Sequence, residues 1–441
     1  MRSDDTIAAI ITPLGRGGVG VIRISGKESL AVAKQLIAEF PNQIKPRYVY
    51  HGWIEGTDEV LYTYMKAPRS YTGEESVEIS CHGGVAVIKM ILGQCVRAGA
   101  RQAEKGEFTK RAFLNGRIDL AQAEAVIELI NARTEKAAEA AARNLGGHTS
   151  AHISGIREKL INMLARIEAA IDFPDDVEGK EQAGLSQEIR EQLKIIDKAI
   201  AGAGYGRLLK VGAVAVIAGK TNVGKSSLFN LLVGEDRAIV TEIPGTTRDT
   251  IEEVIDINGA PIRLVDTAGI RAPKDRAEEI GIARSEEQLE RGDIVILMFD
   301  GSEERLGEGE RRLLEATKDK LAIKVINKID LGRRLPVKGC EISAKNNIGI
   351  GEIREEIYKA LCNQNGRDKE QPIIMSARQE GCLNRAKQAL QNALESIRMD
   401  RGEEIMTIDL KEAVESLGEI TGHQISENVI EKIFADFCVG K

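Results

Sequence analysis

A chain of 441 residues has room for about three domains, each able to bury its own core, which excludes a peptide-sized or disulfide-stapled scaffold. Hydrophobic residues at 42%, charged residues at 29% and only 10 prolines describe a folded protein and exclude a disordered or low-complexity one. The balance of 61 Lys+Arg against 68 Asp+Glu, net −7, carries no global signature of nucleic-acid binding, although the first 120 residues are mildly basic and the remainder acidic.

The apolar stretch behind Met1-Arg2-Ser3-Asp4-Asp5 ends at Thr12-Pro13, too short for a signal-peptide core, and nothing approaches the ~18 apolar residues of a membrane span, so a cytoplasmic protein without membrane contact is expected. Cys81, Cys95, Cys340, Cys362, Cys382 and Cys438 lie far apart with no Cys-x-x-Cys, which indicates neither a zinc site nor a disulfide framework.

Residues 1–118 read as an α+β domain. Its strand-like runs are Ile7 to Thr12, Val19 to Ser25 and Val77 to Ser80, and its helical stretches lie near Ser29 to Glu39 and Val85 to Ala98. At Asp119 an alanine-rich segment of helical period begins. It runs, with a break at Gly146-Gly147, to about Ile171, and Phe173-Pro174-Asp175-Asp176 ends it; another helix is expected over Ser186 to Ala203. Strands and helices alternate from Val211 to about Leu361, the pattern of a parallel sheet covered by helices. After a polar linker, Asn363 to Gln371, helical periodicity returns. The economical reading is an all-α domain, 119–210 and 366–441, interrupted by an inserted α/β domain at 211–365.

Within that insert, Gly219-Lys220-Thr221-Asn222-Val223-Gly224-Lys225-Ser226 matches G-x-x-x-x-G-K-[ST] between a buried-strand run, Val214 to Ile217, and a helix start at Ser227. Glycines let backbone N–H groups wrap phosphate oxygens, Lys225 reaches the β and γ phosphates, and the Ser226 hydroxyl suits Mg²⁺. Asp266-Thr267-Ala268-Gly269 ends the strand-like Ile262 to Val265, putting a carboxylate near the metal and a glycine amide near the γ-phosphate. Asn327-Lys328-Ile329-Asp330 ends the strand-like Ala322 to Ile326. The Asp330 carboxylate can accept from guanine's ring N–H and exocyclic amine together, a donor pair adenine lacks. Ser343-Ala344-Lys345 offers a backbone amide for the guanine carbonyl. Gly245-Thr246-Thr247-Arg248-Asp249, in a polar loop, supplies Thr247 as a second Mg²⁺ hydroxyl. In this order the motifs resemble the Ras-like GTPase superfamily over Val211 to about Leu361, with Ile270 where Ras-type proteins carry a water-orienting glutamine.

Asn222 in the phosphate loop, Gly245 to Asp249, Asp266 to Arg271 and Phe437-Cys438-Val439-Gly440-Lys441 together resemble the MnmE (TrmE) family of bacterial tRNA-modification GTPases. The likeness extends to Thr12 to Gly20 and Phe113 to Ala125. That resemblance implies a homodimer which, with an FAD-containing partner (MnmG, also called GidA), adds a (carboxymethyl)aminomethyl group to carbon 5 of the wobble uridine of certain tRNAs, using a one-carbon unit from 5-formyltetrahydrofolate. It also implies hydrolysis driven by K⁺-dependent dimerisation of the nucleotide domains. Carried over by position, nucleotide contacts fall on Asn222, Val223, Gly224, Lys225, Ser226 and Ser227; on Thr241, Glu242, Ile243, Pro244, Gly245, Thr246 and Thr247; on Asp266, Thr267, Ala268 and Gly269; and on Asn327, Lys328, Asp330, Ser343, Ala344 and Lys345. K⁺ falls to Asn222, Thr241, Ile243 and Thr246, and the water-orienting glutamate to Glu278, with Glu279 the adjacent alternative. The first domain is implied to bind tetrahydrofolate and to dimerise, its ligands being Arg23, Glu78, Arg117 and Lys441; Arg117 stands where relatives often carry lysine.

Other features have plainer readings. Gly15-Arg16-Gly17-Gly18-Val19-Gly20 fits G-x-G-x-x-G but precedes a strand-like run, not a helix, so it is a turn and not a dinucleotide site. Cys438 is a nucleophile or redox group in the tail, or a small buried hydrophobe. His148 and His152, at i,i+4, lack an acidic or thiol partner nearby in sequence for a shared metal. Two rival functions share parts of the pattern: a ribosome-assembly-type GTP switch without covalent chemistry, and a small-molecule kinase using the same phosphate loop.

Overall fold

The computed structural model describes residues 5–172, 181–236, 252–266, 289, 292–361, 372–399 and 401–441. Its contacts divide the chain into two compact units, Met1–Ile127 with Gly418–Lys441, and Glu128–Leu417.

The first unit is built on a seven-stranded sheet: β1 (Ile7–Ile10), β2 (Val19–Ser25), β3 (Ile37–Ala38), β4 (Val49–Ile54), β5 (Asp58–Met65), β6 (Ser76–His82) and β7 (Arg101–Gln102), in the order β3-β4-β5-β6-β2-β1-β7. All pairings are antiparallel except β1 with β7. Alternation on β2 and β6 sends Ile22, Ile24, Val77 and Ile79 into the core against helices Ser29–Leu36 and Val85–Arg97, whose Val32, Ala33, Ile88 and Ile91 are buried. The same alternation leaves Arg23 and Glu78, cross-strand partners, on the opposite face.

β4 and β5 are absent from the sequence expectation. On β4 only Gly52 and Ile54 are buried while Val49, His51 and Trp53 are exposed, so the stretch reads as polar-flanked loop until the partner strand is known. The tail belongs to this unit: Val439 bridges to Lys105, and the Cys438 carbonyl accepts from the Gly106 N–H at 3.3 Å. Gly440, at φ +99°, lies so close to β1 that a Cβ there would sit 2.2 Å from the Ile10 carbonyl oxygen.

In the second unit, helices flank an inserted sheet, as the sequence indicates. The alanine-rich segment, which begins in the first unit and enters the second at Glu128, breaks twice rather than once, into Leu120–Asn131, Glu135–Leu145 and His148–Asp172. The extra break comes at Thr134, whose hydroxyl caps the middle helix by accepting from the Ala137 N–H at 3.2 Å. On His148–Asp172, Ile153, Ile156, Leu160, Met163 and Ile167 are buried at helical spacing. Helix Glu181–Val211, longer at both ends than expected, packs along Ala377–Arg398.

The inserted sheet has β8 (Ala213–Gly219), β9 (Glu252–Ile257), β10 (Ala260–Asp266), β11 (Ile294–Asp300), β12 (Ala322–Asn327) and β13 (Cys340–Glu341) in the order β13-β12-β11-β8-β10-β9. Every pairing is parallel except the β9–β10 hairpin. β11 is buried at every position, which explains its unbroken apolar sequence Ile294 to Phe299. The hairpin tip docks on the helical part of the unit: Thr134 Oγ1 donates to the Gly259 carbonyl at 2.8 Å and Lys136 Nζ to that of Asn258 at 2.6 Å.

Candidate functional site

Parallel strands order the nucleotide site, because β8, β11 and β12 all end at the same edge of the sheet, where ligands of such folds are held. β8 runs through Gly219 into the phosphate loop, and helix Lys225–Asp236 begins directly behind it with its first amides turned toward the loop. Asn222 takes a left-handed conformation, φ +62°, at the exposed crest of the loop. Lys225 is 9% exposed, and its ammonium donates to the carbonyls of Gly219 (2.8 Å) and Lys220 (2.9 Å), so it caps the loop it belongs to. Ser226 and Ser227 are exposed at the helix start, and Val223 is fully buried beneath.

β12 delivers the loop that starts at Asn327 to the same edge, and one side chain binds the two loops together. Asn327, 3% exposed, donates through Nδ2 to the Val223 carbonyl at 2.8 Å and accepts through Oδ1 from the Ala344 N–H at 2.9 Å. Gly224 is needed for that approach: at φ +104°, a Cβ would stand 2.2 Å from Asn327 Nδ2. Asp330 is exposed, and buried Ser343 donates to its Oδ1 at 2.6 Å, fixing the carboxylate plane. The sequence reading gave Ser343-Ala344-Lys345 a backbone role toward the base. In the structure the Ala344 amide serves Asn327, and the Ser343 hydroxyl orients Asp330. Lys328 pairs through Nζ with Asp300 at 2.7 Å.

Asp266 closes β10 in register with Ile217 on β8, which sets its backbone at the same edge; its side chain is outside the described residues. Thr241, Glu242, Ile243, Pro244, Gly245, Thr246, Thr247, Thr267, Ala268, Gly269, Glu278 and Glu279 also lie outside the described residues, as do Phe173 to Asp176 and the linker Asn363 to Gln371.

In the first unit, three of the four candidate folate ligands come together. Arg23 pairs with Glu78 through Nε at 2.9 Å and Nη2 at 2.8 Å. Its guanidinium stacks on two rings, 4.6 Å from the Tyr71 centroid and 5.5 Å from that of Phe108. Arg23 Nη1 is buried and makes no hydrogen bond among the described residues. Lys441 joins this pair: burial, then the charge of Arg23, push its ammonium below the ordinary lysine value, while Glu78 pulls the other way. Arg117, exposed, donates through Nε to the Ser70 carbonyl at 3.2 Å, next to Tyr71 in the chain. Tyr71 and Phe108 escape sequence reading because nothing local ties them to Arg23.

Cys438 is exposed, which removes the buried-hydrophobe alternative. Cys81, Cys95, Cys340 and Cys382 are buried, and burial pushes the Cys95 thiol up to about 12, far from thiolate chemistry. The His148 and His152 rings are 4.9 Å apart, but His148 faces Arg143 at 3.0 Å, and burial lowers its pKa; no cluster of three or more metal-ligating groups occurs among the described residues. No helix among them is long and apolar enough to cross a membrane.

Two family models match the chain: the GTP-binding protein TrmE N-terminus over residues 6–117 and the MnmE helical domain over 120–438. The tRNA modification GTPase MnmE of Natranaerobius thermophilus is 41% identical over 458 residues, covering 100% of both chains. The protein of the same name from Desulforamulus reducens is 40% identical over 460 residues, covering 99% of this chain and 100% of its own. That of Syntrophus aciditrophicus is 42% identical over 455 residues, covering 99% of each. Phosphate loop, inserted sheet, N-terminal sheet and flanking helices therefore have one common source: the chain belongs to the MnmE family of tRNA modification GTPases.

Proposed function

We propose that this chain binds and hydrolyses GTP in the service of tRNA modification. The observation that carries the reading is Asn327, which fastens a phosphate-binding loop to a loop presenting an oriented, exposed carboxylate, Asp330. Asp330 accepts from the ring N–H and exocyclic amine of guanine, and adenine has no such donor pair. Lys225 exchanges carbonyl partners for β- and γ-phosphate oxygens, and the amides at the start of its helix add positive potential. The Ser226 hydroxyl, at the exposed helix start, fits one ligand position of Mg²⁺, with Thr247 proposed for the second; the ion would neutralise phosphate charge. Asn222, exposed at the loop crest, is proposed as a K⁺ ligand with Thr241, Ile243 and Thr246, in a nucleotide-domain dimer in which Glu278 orients the attacking water.

The finer chemistry rests on the first unit. Arg23, whose Nη1 makes no hydrogen bond among the described residues, suits, beside Lys441, a carboxylate of 5-formyltetrahydrofolate, and Glu78 suits the donor edge of a pterin; Arg117 is assigned to the same ligand. The folate would supply a one-carbon unit. Modification of the wobble uridine with an FAD-containing MnmG partner, in the cytoplasm and as a homodimer, with Cys438 as an exposed thiol near the chemistry, completes the proposal.

The test is displacement of a fluorescent GTP analogue together with GTP turnover in matched KCl and NaCl buffers. Displacement by GDP and not ADP, with turnover several-fold faster in K⁺, is expected. Equal displacement by ADP would favour a kinase, tight GTP binding without turnover or folate binding would favour a binding switch, and equal rates in both salts would remove the K⁺ mechanism alone.

A further inference from the structure

β11 ends on Asp300, outside every motif read from the sequence, in register with Asn327 on β12. Only 6% of Asp300 is exposed, and both its oxygens are engaged. Oδ1 accepts from the Ser302 N–H at 3.1 Å and the Ser302 hydroxyl at 2.6 Å, while Oδ2 accepts from Lys328 Nζ at 2.7 Å. Burial raises the Asp300 pKa, but the bonds from Lys328 and Ser302 outweigh it and hold the carboxyl below its ordinary value, so the group is an anion at neutral pH. Lys328 has a left-handed backbone, φ +67°, a conformation that costs a lysine about 1 kcal/mol or more and persists only when its surroundings impose it.

Lys328 stands two residues before Asp330, whose exposed carboxylate is the nearest alternative partner for its ammonium along the chain. An ammonium paired with Asp330 would occupy the acceptor that guanine's two N–H groups require. We infer that Asp300 is a positioning residue for guanine recognition: it anchors Lys328 at the end of β11 and thereby keeps the Asp330 carboxylate open to the base. The brace is rigid because Ser302 fixes the other oxygen of the same carboxylate. The inference rests on the GTP-binding reading and adds a residue that acts through Lys328 without touching the nucleotide.

The experiment is a double-mutant cycle in the full chain, read as GDP affinity with ADP as control. Asp300→Asn, which keeps an acceptor for Ser302 but drops the charge, is expected to weaken GDP about tenfold. Lys328→Met keeps the length of the stem and removes the ammonium, so Asp300→Asn in the Lys328→Met background is expected to cost less than about twofold. A purely structural role predicts the full tenfold loss in both backgrounds, and that result would overturn the inference, as would a GDP affinity unchanged by Asp300→Asn. Should Asp300→Asn unfold, Ser302→Ala loosens the same carboxylate, with an expected loss of about threefold that again vanishes beside Lys328→Met. Failure of the unsubstituted chain to prefer GDP over ADP would instead strike the GTP reading itself.

Discussion

The two candidate sites hold their cations in opposite ways. In the phosphate loop, Lys225 is satisfied by the Gly219 and Lys220 carbonyls, so the loop's own backbone holds the cation. On the first unit's sheet, Arg23 has a buried nitrogen that makes no hydrogen bond among the described residues, and Lys441 is crowded by a second positive charge. The nucleotide site is therefore prepaid in structure and exchanges one set of acceptors for another, whereas the sheet site stores an electrostatic deficit that an anion relieves. A site of the first kind holds its cation with its own backbone; one of the second kind gains stability on filling.

The sharpest way to break this comparison is Lys225→Ala, expected to weaken GTP by about a hundredfold or more while 5-formyltetrahydrofolate affinity stays within about twofold, both by calorimetry. A parallel loss of folate binding would mean that the sites are not independent. Next comes Arg23→Gln, expected to weaken folate about tenfold and leave GTP unchanged, because it removes the charge that the deficit consists of. Gly224→Ala tests the prepaid shape directly: its Cβ would collide with Asn327 Nδ2, and a stability loss of about 2–3 kcal/mol is expected in urea unfolding of the second unit.

The smallest effect is in pH. Lys441 has a folded value below the unfolded 10.5, so between the two the unfolded chain binds the extra proton, and stability of the unliganded first unit rises with pH across that window. A bound anion favours the ammonium, so folate affinity falls over the same window. Urea midpoints and affinities measured at a series of pH values below 10.5 check both slopes, and Lys441→Met is expected to flatten them.

Legibility followed sequence distance. The phosphate loop and Asn327 to Asp330 are contiguous strings attached to strand ends, so residue type and spacing already encode their chemistry. Arg23, Glu78 and Lys441 are brought together only by the antiparallel β2–β6 pairing and by a tail that crosses to β1, contacts no local pattern encodes; family resemblance supplied them. Tyr71 and Phe108 had neither signal. Asp300 was hidden differently, as the last residue of an apolar strand that reads as core. The helix break at Thr134 was missed because alanine periodicity continues across it, and only the docked hairpin shows why the cap is there.

Asn327 has a consequence for anyone seeking to re-aim this pocket at another base. Because its amide serves the phosphate loop and the Ala344 loop at once, it cannot be altered without changing affinity for every nucleotide, whatever the base. Asp330 is separable: it is exposed, is held at Oδ1 by Ser343, and in the proposed site would decide which donors and acceptors the base must present. Asp330→Asn should turn the preference toward xanthine, whose carbonyl stands where guanine carries its amine, with the phosphate grip intact. The fold thus separates a replaceable reader from a fixed frame, and orthogonal nucleotides can be designed by changing the first alone.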